Sequence, residues 1–143
     1  MTDRDELHAA ARALASAEKW AKALSKYERL VAADPEPQPR LLLELAEVHV
    51  KLGRYEDAVR MRERVVQRYL RDGLVLKAIG ILRQSVTLLA EHPSPELETH
   101  HTDTLEKLAA LFESLGLGEE AVAARAEATR LRDLRCKHEG PYR

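Results

Sequence analysis

The chain has 143 residues, 45% apolar and 33% charged, with a formal net charge of −1 and a pI near 6.6. Without a global positive field to gather phosphates, a nucleic-acid partner is not expected. One cysteine, Cys136, can form neither an intrachain disulfide nor a cysteine-cluster zinc site.

A chain of this length buries roughly 68–70% of its unfolded surface, enough for one domain without staples. Few aromatics beside abundant alanine, leucine, arginine and glutamate lean towards helix. Asp3, Asp5 and Glu6 interrupt the first 20 residues, so no secretory signal is expected. The richest apolar run, Leu74 to Leu82, contains Lys77 and falls far short of the roughly 20 residues a membrane span needs. A soluble protein of a reducing cytoplasm is the expectation.

Thr2 and Asp5 form a capping box that opens a first helix, with Leu7, Ala10, Ala11 and Leu14 at helical spacing. After a turn at Ser16 to Lys19, a second stripe runs through Trp20, Ala23, Leu24, Tyr27, Leu30 and Val31 and stops at Asp34-Pro35. The prolines of P-E-P-Q-P, residues 35–39, make a short stiff linker. A third helix is predicted over about 38–52, with Leu41, Leu42, Leu45, Ala46, Val48 and His49 inward and Gly53 ending it. A fourth covers about 55–71 and ends at the Asp72-Gly73 turn.

The fifth, about 74–91, is the most apolar. Leu74, Val75, Ala78, Ile79, Leu82, Val86 and Leu89 form one face, widened by Leu76, Ile81 and Leu88. Such a helix is buried on several sides or serves as an interface. Gly80 within it costs about 1 kcal/mol in helix propensity, for which close packing of a neighbour would be a reason. Ser94 then caps a sixth helix, about 95–115, with Pro95 at its first position. Gly116-Leu117-Gly118 turns into a seventh, about 119–135, with Ala121, Val122, Ala124, Ala128 and Leu131 inward. Residues 1–135 read as a single domain and 136–143 as a tail.

An internal repeat links these elements. Trp20-x-x-Ala23-x-x-x-Tyr27, Gly53-x-Tyr55-x-x-Ala58, Gly73-x-Val75-x-x-Ala78 and Gly116-x-Gly118-x-x-Ala121 carry the same anchor alanine. Positions 23 and 58 are 35 apart and positions 58 and 121 are 63 apart; the copy at 78 is displaced. Helix four therefore belongs to two hairpins.

The chain resembles tetratricopeptide repeat proteins, of the small bacterial type. The resemblance rests on Leu7, Ala11, Leu14, Trp20, Ala23, Tyr27, Leu30 and Pro35 in the first unit. It continues through Leu42, Leu45, Ala46, Gly53, Tyr55, Ala58 and Val65 in the second, and Leu105, Leu108, Ala109, Phe112, Gly116, Ala121 and Ala128 in the last. The departures are Glu18 at the first turn glycine, and Arg62 and Arg125 at positions usually aromatic. The resemblance implies an all-α, solenoid-type array of helical-hairpin repeats, about seven helices with the third unit irregular. It also implies a non-catalytic protein–protein interaction module (adaptor, scaffold or regulatory subunit). A secretion chaperone, or a self-assembly module using helix 74–91 and able to form a homodimer, stays open beside it.

The family's concave groove maps to His8 and Arg12 of unit one, to Arg40, Leu43, Glu44, Glu47 and Lys51 of unit two, and to Asp103, Glu106 and Lys107 of the last. These residues would equally make an ordinary solvated face. The family's lysine/asparagine clamp for a terminal carboxylate is not present as a pattern, which disfavours a C-terminal carboxylate ligand. On helix four, Arg60, Arg64, Arg68 and Arg71 share one face and could dock an acidic peptide or an anion, although Glu56, Asp57 and Glu63 would partly neutralise them.

His92, His100, His101, Cys136 and His138 do not make a metal site by spacing, since His100 and His101 point about 100° apart on a helix. No cofactor is expected. No P-loop, dinucleotide fingerprint or H-E-x-x-H occurs, and an enzyme is the least supported class.

Overall fold

Four helix ends in this chain share one geometry, and they set the architecture. In each, a residue in the left-handed region follows the helix: Glu18 (φ 59), Gly53 (φ 74), Gly73 (φ 77) and Gly116 (φ 76). The next residue's N–H reaches back to the carbonyl five positions earlier: Lys19 to Leu14 at 2.9 Å, Arg54 to His49 at 2.8 Å, Leu74 to Tyr69 at 2.7 Å, and Leu117 to Phe112 at 2.8 Å. A second bond runs from each left-handed residue to the carbonyl three back. This is the Schellman closure, which satisfies carbonyls a helix end would leave open. The residue after the left-handed one also starts the next helix, for its carbonyl accepts the N–H of Ala23, Ala58, Ala78 or Ala121. All four alanines are buried.

The computed structural model describes the backbone of residues 2–138 and the side chains of residues 2–136. Among these there are seven α-helices and no strand: α1 (Asp3–Ser16), α2 (Trp20–Ala32), α3 (Pro39–Lys51), α4 (Tyr55–Arg71), α5 (Val75–Glu91), α6 (Glu98–Ser114) and α7 (Gly118–His138). Thr2 caps α1 in a reciprocal box with Asp5, and Pro39 opens α3 at a position where its missing N–H is not needed. The chain divides into two compact units, Met1–Arg68 and Tyr69–Arg143, with the division inside α4.

In the first unit α2 packs on both α1 and α3. Ala11, Ala23, Leu24, Tyr27, Leu30, Leu45 and Val48 form its core cluster, flanked by Leu7, Leu14, Trp20, Leu41, Leu52 and Met61. His49 is a buried core histidine of α3, its pKa lowered chiefly by burial. In the second unit α6 packs on α5 and α7. Ala78, Ile79, Leu82, Leu89, Leu105, Leu108, Ala109, Phe112, Ala124 and Ala128 are buried there. Ile81 and Leu88 are buried too, so most of α5's girth is covered by the chain itself, while Leu76 remains 75% exposed.

Several expectations are corrected. Ser94 makes no side-chain cap; Pro95–Leu97 instead forms a 3₁₀ turn, closed by the Leu97 N–H on the Ser94 carbonyl, and α6 begins at Glu98. Val122 is 69% exposed, because the inward stripe of α7 is Ala121, Ala124 and Ala128 and Val122 lies about 100° off it. Cys136, Lys137 and His138 continue α7 rather than starting a tail; residues 139–143 and the His138 side chain lie outside the described residues. Gly80 has no close neighbour, since an added Cβ would meet nothing within 4 Å.

Space is equally open at Gly53, so only φ separates the two sites. Gly80→Ala is expected to stabilise the protein by about 0.5–1 kcal/mol, the helix-interior cost of glycine. Gly53→Ala is expected to destabilise it by about 1–2 kcal/mol, the cost of a Cβ in the left-handed region. Urea midpoints of the two variants check the opposite signs.

Candidate functional site

Helical arithmetic places His8 and Arg12 on one face of α1, and Arg40, Glu44, Glu47 and Lys51 on one face of α3. The two faces meet on a single carboxylate. Arg12 grips Glu44 with both arms of its fork, Nε donating to Oε1 at 2.9 Å and Nη2 to Oε2 at 3.0 Å. The Tyr27 hydroxyl of α2 donates to Oε1 at 2.9 Å. His8 Nε2 lies 3.2 Å from the same oxygen, and the His8 ring meets the Tyr27 ring edge to face at 6.1 Å. Arg40 adds a looser ion pair, Nε to Oε2 at 3.5 Å. Three helices thus converge on one glutamate.

The surroundings of Glu44 set its charge. Burial pushes the Glu44 carboxyl up, but hydrogen bonds from Arg12, Tyr27 and His8 outweigh it and hold its pKa at about 2, below its ordinary 4.5. The Tyr27 hydroxyl is raised, first by burial and then by its bond to an acceptor that must stay ionised.

Beside this network lies an open cleft of about 370 Å³, lined by Arg12, Ala15, Ser16, Trp20, Tyr27, Glu44, Glu47 and Val48. Half-buried Trp20 forms part of its wall, with the Lys51 ammonium 6.0 Å from the ring centroid. Glu47 sits 4.0 Å from both Lys51 and Arg62, the latter on α4. These contacts are loose where those at Glu44 are tight.

Residues 14–79 match the sequence profile described as tetratricopeptide repeat. Those residues belong to the tetratricopeptide repeat family. No curated protein matches the chain in sequence. Among solved structures it is similar to the Sgt2 TPR domain from Aspergillus fumigatus, at 18% identity and a TM-score of 0.52, covering 98% of this chain and 84% of that one. It is also similar to BtubC from P. vanneervenii, at 15% identity and a TM-score of 0.54, covering 94% of this chain and 66% of that one. At these identities the likeness is one of fold.

The repeat fold thus brings five of the ten mapped residues to one cleft and its ionic rim: Arg12, Arg40, Glu44, Glu47 and Lys51, with His8 joined through Glu44. Leu43 is half-buried on α3. Asp103, Glu106 and Lys107 are exposed on α6 in the second unit, where Glu106 pairs with Arg132 of α7. The arginine row on α4 is partly engaged: Arg60 bonds Glu56 at 2.8 Å and Arg68 pairs with Glu36 at 3.7 Å. Two site residues lie outside the mapped groove. Tyr27 reads as core because its ring is buried, and the signal for its second role is that a buried tyrosine hydroxyl needs a partner. Trp20 reads as core because it lies on the apolar stripe of α2, but its ring is only half-buried and borders the cleft.

Glu44 contributes stability above its ordinary pKa, and that stability is lost as pH falls through its folded value. Glu44→Gln is therefore expected to lower stability by about 1–3 kcal/mol at pH 7, the cost of breaking a charge-assisted, partly buried network. The gap between wild type and variant should narrow between pH 4.5 and pH 2. Urea titrations across that range check both the size and the sign.

Proposed function

We propose that the protein is a non-catalytic interaction module that holds a segment of a partner protein in the cleft between α1, α2 and α3. The observation that supports this reading most is the division of labour at the site. Glu44, gripped from three helices, fixes the relative placement of the walls. Trp20, Glu47 and Lys51 border open space and remain weakly committed. A pre-formed wall with an adaptable rim is what an extended ligand needs, since little ordering is required on binding. No reacting group is placed at the cleft: Arg12 and Tyr27 are bound to Glu44, and neither is poised as an acid or base near neutral pH. The role is that of an adaptor, scaffold or regulatory subunit of the cytoplasm.

The test uses the full chain as bait for its cellular partner. Trp20→Ala and Lys51→Glu are expected to reduce capture at least severalfold, with helicity by circular dichroism unchanged for Lys51→Glu. Undiminished capture by both variants would remove the cleft from the interface.

A second reading, self-association, draws on the second unit. Short links make α5, α6 and α7 run antiparallel in succession, which gathers Leu74 (39% exposed), Leu76 (75%), Leu115 (41%), Leu117 (39%) and Val122 (69%) at one end. If this end pairs copies, light scattering should show a concentration-dependent dimer that Leu76→Arg abolishes. A monomer at all concentrations would eliminate it.

A further inference from the structure

We infer that the cleft selects an acidic internal segment of its partner, with an apolar side chain entering against Trp20 and Val48 and flanking carboxylates pairing with Arg40, Lys51 and Arg62. The inference rests on the cleft reading above and adds the partner's chemistry. Two observations carry it.

The first is the charge balance at the cleft. Four cations, Arg12, Arg40, Lys51 and Arg62, face two carboxylates, Glu44 and Glu47. Glu44 takes both arms of Arg12, which leaves Arg40, Lys51 and Arg62 to share one carboxylate between them and the outer edge of another. Arg40 and Lys51 are 76% and 50% exposed, so their charge is available to a ligand. The surplus is positive although the whole chain carries −1. A basic segment would enter against this surplus, and an acidic one would complete it.

The second is Arg62. Its side chain is only 11% exposed, and its nearest carboxylate, Glu47, stands 4.0 Å away, beyond hydrogen-bond distance. No hydrogen bond among the described residues reaches this guanidinium. Burial lowers its pKa and Glu47 only partly offsets that. A largely covered guanidinium with only a 4.0 Å ion pair has donors to spare, and a second carboxylate beside Glu47 would give them an acceptor. Arg62 stands 35 positions after Tyr27, the repeat distance. Where Tyr27 spends its donor on Glu44, the corresponding residue of the next unit keeps its donors open.

The ligand carboxylates are those of side chains. The closed grip that a terminal carboxylate would require, Arg12 with Tyr27 and His8, is already filled by Glu44 at 2.9–3.2 Å. The contacts an acidic side chain would join are those at 4.0 Å around Glu47.

The experiment titrates the full chain with three short amide-capped peptides, each with one central leucine, flanked by glutamates, by lysines or by serines. Trp20 is the protein's only tryptophan and reports entry by its fluorescence. The glutamate peptide is expected to shift the emission and bind more weakly as salt rises. Arg40→Glu and Lys51→Glu should each weaken it roughly three- to tenfold, as expected for an exposed pair replaced by repulsion. Glu47→Gln should tighten it. Equal or tighter binding of the lysine or serine peptide would overturn the acidic preference while leaving the cleft as the binding site. Binding of the glutamate peptide that Trp20→Ala leaves unchanged by isothermal titration calorimetry, with no salt dependence, would instead move the interface elsewhere. Failure of all three peptides to bind would overturn the inference outright.

Discussion

Everything in this chain depends on the left-handed turn that closes one helix and starts another two residues later. Because the residue after the turn both ends one ladder of hydrogen bonds and begins another, the path of the chain through it is fixed locally. The alanine four positions beyond that residue is then carried into the crossing, where only a methyl is found: Ala23, Ala58 and Ala78 are each 0% exposed and Ala121 is 1%. Three of the four turns use glycine. The first uses Glu18, which accepts the same conformation at a cost of about 1 kcal/mol that the surrounding packing offsets. Geometry at that turn is thus imposed by the unit's core more than by its sequence.

The same turn explains the uneven rhythm of the repeat. A regular array alternates a tight turn inside each hairpin with a longer link between hairpins. Here α4 has a tight turn at both ends, one at Gly53 and one at Gly73. The longer links are the proline-rich stretch after α2 and the segment around Pro93 and Pro95 before α6. Prolines mark both because each removes an N–H that a continuing helix would need.

The turns are legible in the sequence because they are local: glycine, then a buried alanine five residues on, is a pattern within a few bonds. The two helix faces are legible for the same reason, through spacings of three and four. Spacing cannot supply the meeting of those faces. Arg12 and Glu44 are 32 residues apart, and nothing in either segment says that they form one ion pair. The stripe of α2 assigns Tyr27 to the core, which is right for the ring and silent about the hydroxyl. Gly80 misleads because a glycine in an apolar helix suggests a close neighbour, and the open space beside it shows that no packing reason exists. The polar end of the chain from Cys136 looks like a tail, yet α7 runs on to His138. Lys137 and His138 bring no breaker, and the first glycine is at 140.

In the proposed groove, the Glu44 network and the Glu47 contacts would take two separate jobs. Holding two helices at a fixed distance calls for a short, bidentate, half-buried pair, and Arg12 with Glu44 provides one that persists to about pH 2. Recognising a ligand calls for the opposite: charges whose present partners can be exchanged at little cost. Exposed ion pairs are worth about 0–1 kcal/mol, so the 4.0 Å contact of Glu47 with Lys51 is easily given up. Had the two sets been merged, with Arg12 free to grip a ligand, each binding event would have loosened the wall that shapes the cleft. Keeping them apart lets the walls stay in place while the rim rearranges. On the acidic-segment proposal, specificity would fall to Arg40, Lys51 and Arg62, which lie on two neighbouring helices rather than in the turns that build the fold.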